Sequence, residues 1–127
     1  MSNAAASAFR SAVEAGDLDS MLAVLSDDVV LHSPVSFKPF RGKDAVRGLF
    51  SILMETFEDF HYTDHVEGDG VAILVFRARV GDREVEGIDL LRAGTDGRVD
   101  DFTVMVRPLS GINALWQAVG ARLSKGS

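Results

Sequence analysis

The chain has 127 residues, 46% of them apolar and 25% charged, and carries a formal net charge of −6 with a pI near 4.9. A chain of this length buries roughly two thirds of its unfolded surface, so one domain over residues 1–127 with its own core is expected. The acidic balance argues against a nucleic acid partner, which needs a basic footprint, and against an anionic membrane surface. No apolar run approaches the ~20 residues that span a bilayer. The segment MSNAAASAF lacks the basic start and apolar core of a secretory signal, and there is no cysteine. Disulfides, thiolate zinc sites and cysteine nucleophiles are therefore out, and a cytoplasmic chain fits.

A first helix is expected from about Asn3 to Ala15, with Phe9, Ala12 and Val13 on its inward stripe. Gly16 can take the left-handed cap that ends it, and Asp17 can cap a short second helix carrying Leu18, Met21, Leu22 and Leu25 on one side. A strand, Asp28 to Ser33, is broken by Pro34. Phe37 to Arg41 then leads into a third helix, from about Lys43 to Phe57, with Val46, Leu49, Phe50, Leu53 and Phe57 at helical spacing. Two helices, a kinked strand and a third helix can lid a curved sheet and leave a cavity beneath it.

From Phe60 the hydrophobic period changes to two. Phe60 to Glu67, Val71 to Val80, Glu84 to Arg92 and Val99 to Arg107 read as strands, joined by glycine-rich turns short enough to make neighbours antiparallel. A last helix after Pro108 carries Ile112, Leu115, Trp116, Val119 and Leu123 on one side. Helices followed by a meander make an α+β domain. Strand parity groups Ala72, Leu74, Phe76, Ala78 and Val80 on one face, Val85, Gly87, Asp89 and Leu91 on the next, then Phe102, Val104 and Val106. These faces should meet the helices. The opposite faces carry too many aliphatics for a free surface, so a homodimer is expected to cover them.

Asp89, in the segment GIDLL, falls on an inward face. A carboxylate there must find a partner or stay protonated with a raised pKa, and a neutral carboxylic acid in an apolar pocket donates a strong hydrogen bond to a carbonyl or enolate oxygen. The competing reading is a structural aspartate, solvated or paired with Arg92 or Arg107. His32 and Ser33 sit where the first strand meets Pro34, near the expected pocket mouth; parity does not say which faces in, since a bulge can exchange them. His32 can serve as acid or base near neutral pH, or be structural. His61 and His65 share a face with Thr63 and Glu67, but residues four apart on a strand lie ~13 Å apart, too far to share a metal, and a solvated face is the better reading. No metal-ligand spacing, phosphate loop or dinucleotide fingerprint is present, so no metal and no cofactor are expected. Arg107 reads as an anchor for the last helix rather than an anion site. The candidate lining of the cavity is Phe9, Ser33, Phe37, Phe40, Met54, Phe57, Phe102 and Val104, which suits a small hydrophobic ligand.

Three ordered segments, VEAGDLDSMLAVLSDDVVLHSP, FRGKDAVRGLF and GIDLLRAGTDGRVDDFTVMVRP, resemble the SnoaL-like group of the nuclear transport factor 2-like superfamily. The resemblance implies a cone-shaped barrel, a strongly bent and mostly antiparallel sheet whose N-terminal helices enclose a hydrophobic pocket, with a C-terminal helix, and usually a dimer. Relatives include ketosteroid isomerases, polyketide cyclases, epoxide hydrolases and dehydratases. The oxyanion-binding aspartate of the isomerases falls at Asp89. Their catalytic base falls at Ser33 and their first-helix tyrosine at Phe9, neither of which can do that work. Ketosteroid isomerase activity is therefore disfavoured unless His32 replaces the base. The leading expectation is binding of a small hydrophobic, carbonyl-bearing molecule, with cyclisation, isomerisation or dehydration at Asp89 assisted by His32. The alternative is a noncatalytic ligand-binding or dimerisation module.

Overall fold

The computed structural model describes the backbone of residues 4–126 and the side chains of residues 4–122. Two helices open the chain, α1 (Ala4–Ala15) and α2 (Leu18–Ala23). Gly16 takes a φ of 69°, where a side chain would be strained, and ends α1 through Asp17 N–H donating to Ala12 O at 2.9 Å. The Asp17 carboxylate then accepts from Ser20 N–H and Oγ at the start of α2. The expected first helix begins at Asn3, outside the described residues. Leu25 does not belong to α2: it opens β1 (Leu25–His32), where strand pairing with Val99 claims it.

A two-residue strand, β2 (Phe40–Arg41), follows and pairs back on β1, an element too short for periodicity to reveal. Then come α3 (Lys43–Thr56), β3 (Glu58–Gly68), β4 (Val71–Val80), β5 (Arg83–Ala93), β6 (Val99–Arg107) and α4 (Leu109–Gly126). The six strands form one curved, unclosed sheet in the order β2-β1-β6-β5-β4-β3, antiparallel at every joint except the parallel β1–β6 pair.

The inward faces are those that parity selected. Ala72, Leu74, Phe76, Ala78 and Val80 are buried along β4, Val85, Gly87, Asp89 and Leu91 along β5, and Phe102 and Val104 along β6. Against them pack Phe9 and Ala12 of α1, Met21 and Leu22 of α2, Val46, Leu49 and Phe50 of α3, and Leu115 and Val119 of α4. No helix among the described residues is long and apolar enough to cross a membrane.

Candidate functional site

The site is built outward from the middle of β5. Strand alternation turns Asp89 inward between Leu74 of β4 and Val104 of β6, leaving it only 6% exposed. Neither neighbour can solvate a charge. Burial therefore raises the Asp89 pKa to about 7, an effect that a hydrogen bond from a neighbouring side chain only partly offsets.

That bond comes from Tyr62, whose phenol O–H donates to Asp89 Oδ2 at 3.2 Å. Burial, and next the Asp89 charge, hold the phenol far above its usual range, so it remains an O–H donor. The Arg10 guanidinium lies 5.6 Å from the centre of its ring, on the side of α1. Tyr62 reaches this position because β3 is irregular at both ends of the segment that carries it. Asp59 takes a φ of 54° and is clasped by Arg79, at 2.7 and 2.9 Å. Beyond Tyr62 the ladder steps from Tyr62–Phe76 to Asp64–Val75, leaving Thr63 as an extra residue. This bulge overturns the expected common face of His61 and His65: His61 stands opposite Arg77 on the outer side, whereas His65 stands opposite the inward Leu74.

Beside Asp89 and Tyr62 lies a cavity of about 240 Å³. Phe9, Phe50 and Phe102 form one aromatic wall, with ring centres 5.1–5.8 Å apart. Phe57, Phe60 and Phe76 form the other, Phe60 stacked on Phe76 at 4.8 Å. Gly87 lets the Phe76 ring lie flat on β5: a Cβ there would run into the ring and stand 2.6 Å from Met105 O. Val13, Met21, Leu53, Met54 and Val104 add to the apolar lining, and Glu14 borders it from the last turn of α1, paired with Arg10 at 3.4 Å.

Of the residues expected at this site, Asp89, Phe9, Met54, Phe57, Phe102 and Val104 meet around the one cavity. His32 does not. Along the end of β1 the buried residues are Val29 and Leu31, with Val30 and His32 alternating to the other side, so His32 points to the outer face of the sheet, where its Nε2 lies 3.1 Å from Asp101 Oδ2. Phe37 stands in solvent on the loop after Pro34, with no cavity wall to join at Asp89. Ser33 and Phe40 border a different hollow, beneath α4. Asp89 pairs with neither Arg92 nor Arg107; Arg107 binds Glu86 across the outer face at 3.0 Å, rather than anchoring α4. Among the described residues no three His, Asp or Glu side chains gather as metal ligands.

Residues 6–102 match the model of the SnoaL-like domain. The chain belongs to the SnoaL-like family. Its fold is the cone of the nuclear transport factor 2-like superfamily. A steroid delta-isomerase from Pseudomonas aeruginosa is 36% identical over 98% of this chain and 94% of its own, with a TM-score of 0.92. An uncharacterised bacterial protein with a cystatin-like fold from Silicibacter pomeroyi is 28% identical over 94% of this chain and 85% of its own, with a TM-score of 0.89. SalBIII, an epoxide hydrolase/cyclase-like enzyme of pyran ring formation in salinomycin, shares the fold at 14% identity over 84% of this chain and 90% of its own, with a TM-score of 0.69. No curated protein matches the sequence.

Within this SnoaL-like fold, the phenol judged missing from the first helix arrives from β3. The signal was legible in Phe60-His61-Tyr62, an aromatic alternation that places Tyr62 opposite the outward His61. Glu14 carried no such signal, because its place at the cavity follows from where α1 ends.

Proposed function

We infer that this SnoaL-like protein is a single-domain binder of a small apolar molecule, held through one oxygen by Asp89 and Tyr62. The observation that carries this reading is the buried Asp89–Tyr62 pair facing a cavity with two aromatic walls. Below about pH 7 the acid is neutral and has a proton to donate. With Asp89 neutral, the phenol turns its single O–H from Asp89 Oδ2 to the ligand, so that a carbonyl placed between acid and phenol is polarised and the enol or enolate formed from it is stabilised where water cannot compete. Isomerisation, cyclisation and dehydration all pass through such an oxygen. The name of the Pseudomonas aeruginosa relative, a steroid delta-isomerase, supports the first of these.

The proton-abstracting part of such chemistry is thin. Position 33 holds a serine hydroxyl and His32 faces away, so Glu14 is the remaining carboxylate on the cavity. That observation keeps a noncatalytic binding module as the second reading. We also infer a homodimer through the outer sheet face.

2-Naphthol, whose hydroxyl mimics an enol beside a flat apolar body, tests the reading by calorimetry. The native chain is expected to bind it, and Tyr62→Phe to bind it about tenfold more weakly. Asp89→Asn should keep binding while losing turnover of any carbonyl substrate found. Equal affinity in the native and Tyr62→Phe proteins would sink the oxygen-anchor reading. Unchanged turnover in Asp89→Asn would sink the enzymatic one.

A further inference from the structure

A second hollow, of about 160 Å³, lies beneath α4, between Leu115, Trp116 and Val119 on one side and Leu31, Leu49 and Phe40 on the other. Leu53, Phe57 and Val104 border both this hollow and the one beside Asp89. The two are thus neighbours across a single layer of side chains. Neither alone reaches the ~300 Å³ at which small-molecule sites begin, and the two together do.

The polar groups at this far end are few. Ser33 and Ser36 border it from the loop after β1, and Ser36 Oγ already accepts from Lys38 N–H at 3.2 Å. Ser33 Oγ is buried and has no hydrogen-bond partner among the described residues. A hydroxyl withdrawn from water without a partner is unfavourable, and a serine beside a turn ordinarily bonds to the nearby backbone. Ser26 Oγ, also buried and unpartnered on β1, borders neither hollow. Among the described residues Ser33 alone joins an unmet hydroxyl to the wall of either hollow, and rotation about χ1 among its staggered wells can present that hydroxyl to the space it borders.

We propose that the hollow beneath α4 is the second subsite of an elongated, apolar ligand bearing oxygen at both ends, one end on Asp89 and Tyr62 and the other on Ser33. This rests on the oxygen-anchor reading above. The bound molecule runs past Leu53, Phe57 and Val104, and its far end comes to lie against Trp116, the single tryptophan of the chain.

The probes are 4-alkylphenols from ethyl to octyl, each with and without a hydroxyl on the end carbon. Binding is measured by calorimetry and by Trp116 emission excited at wavelengths where phenols do not absorb. 4-Ethylphenol should bind without moving the emission. Each further methylene that enters the second hollow should raise affinity about fourfold and shift the emission. At the length that spans both hollows, the terminal hydroxyl should add about fivefold in the native protein and nothing in Ser33→Ala. Emission unmoved by bound octylphenol, or a terminal hydroxyl without a Ser33-dependent gain at any length, overturns the second subsite and leaves the first intact. Absence of 4-ethylphenol binding, with no loss on Tyr62→Phe for any member of the series, takes both down.

Discussion

Asp89 shows how one side chain couples stability to pH. Its folded pKa of about 7 lies above the ordinary carboxylate value of 3.8. Between those values the folded chain holds a proton that the unfolded chain has released, so the native state loses stability as pH rises from about 4 to about 7 and then levels off. The shift corresponds to a loss of the order of 4 kcal/mol. Asn at this position accepts from Tyr62 without a charge to bury. Asp89→Asn is therefore expected to melt several degrees above the native protein near pH 8, with the gap closing toward pH 4. Thermal melts across that range check it; a gap independent of pH would mean that Asp89 is not shut away from water. The residue itself was legible, because parity along GIDLL turns it inward whatever the chemistry. Its partner was harder to find, since an acid on β5 and a phenol on β3 meet only after an irregular strand has folded, 27 positions apart in sequence.

At the scale of elements, the four long strands and the helices followed from period and from the glycine, proline or aspartate at most of their ends; the joints at Val24 and Phe57 carry no such mark, and period alone puts Leu25 on the wrong side of the first. What escaped were departures from strict period. The extra residue at Thr63 reverses parity for the rest of β3, and nothing in Tyr62-Thr63-Asp64 announces it. His32 was undecidable for a related reason: with Val30 on the outer side and Leu31 on the inner, the two faces of β1 look alike in sequence. Gly87 offers a direct test of how closely β4 and β5 must approach. Its missing side chain leaves room for the Phe76 ring and for Met105 O, a backbone atom that cannot swing aside. Gly87→Ala is expected to destabilise the fold by about 2 kcal/mol through overpacking and to weaken 2-naphthol binding, since Phe76 is a cavity wall. Urea titration should show a lower midpoint with an unchanged slope. A midpoint within error of the native value would show that the strand relaxes around a methyl group.

For the whole molecule, the outer side of the sheet is the surface left to explain. Its rungs run Val75, Ile88, Met105 and then Ile73, Leu90, Thr103, His32, a stripe of aliphatics that ends in Thr103 and His32 and that the chain itself leaves partly uncovered, with Met105 54% exposed. Toward one end the stripe gives way to charge, where Glu86 lies between Arg77 at 3.3 Å and Arg107 at 3.0 Å. An apolar patch bounded by paired charges suits a two-fold contact, in which the same stripe meets itself and the ion pairs stay at the rim. Met105 is central to the stripe and faces away from the cavity, so a charge placed there tests association separately from binding. If the inferred dimer forms through this stripe, Met105→Glu sets two like charges near its symmetry axis; the native chain is then expected to sediment as a dimer and the variant as a monomer, with 2-naphthol affinity within about twofold of native. A Met105→Glu protein that remains dimeric would move the interface off this face. Loss of 2-naphthol binding together with the dimer would instead tie the cavity to the contact, by way of β5 and β6, whose inner faces carry Asp89 and Val104 while their outer faces carry the stripe.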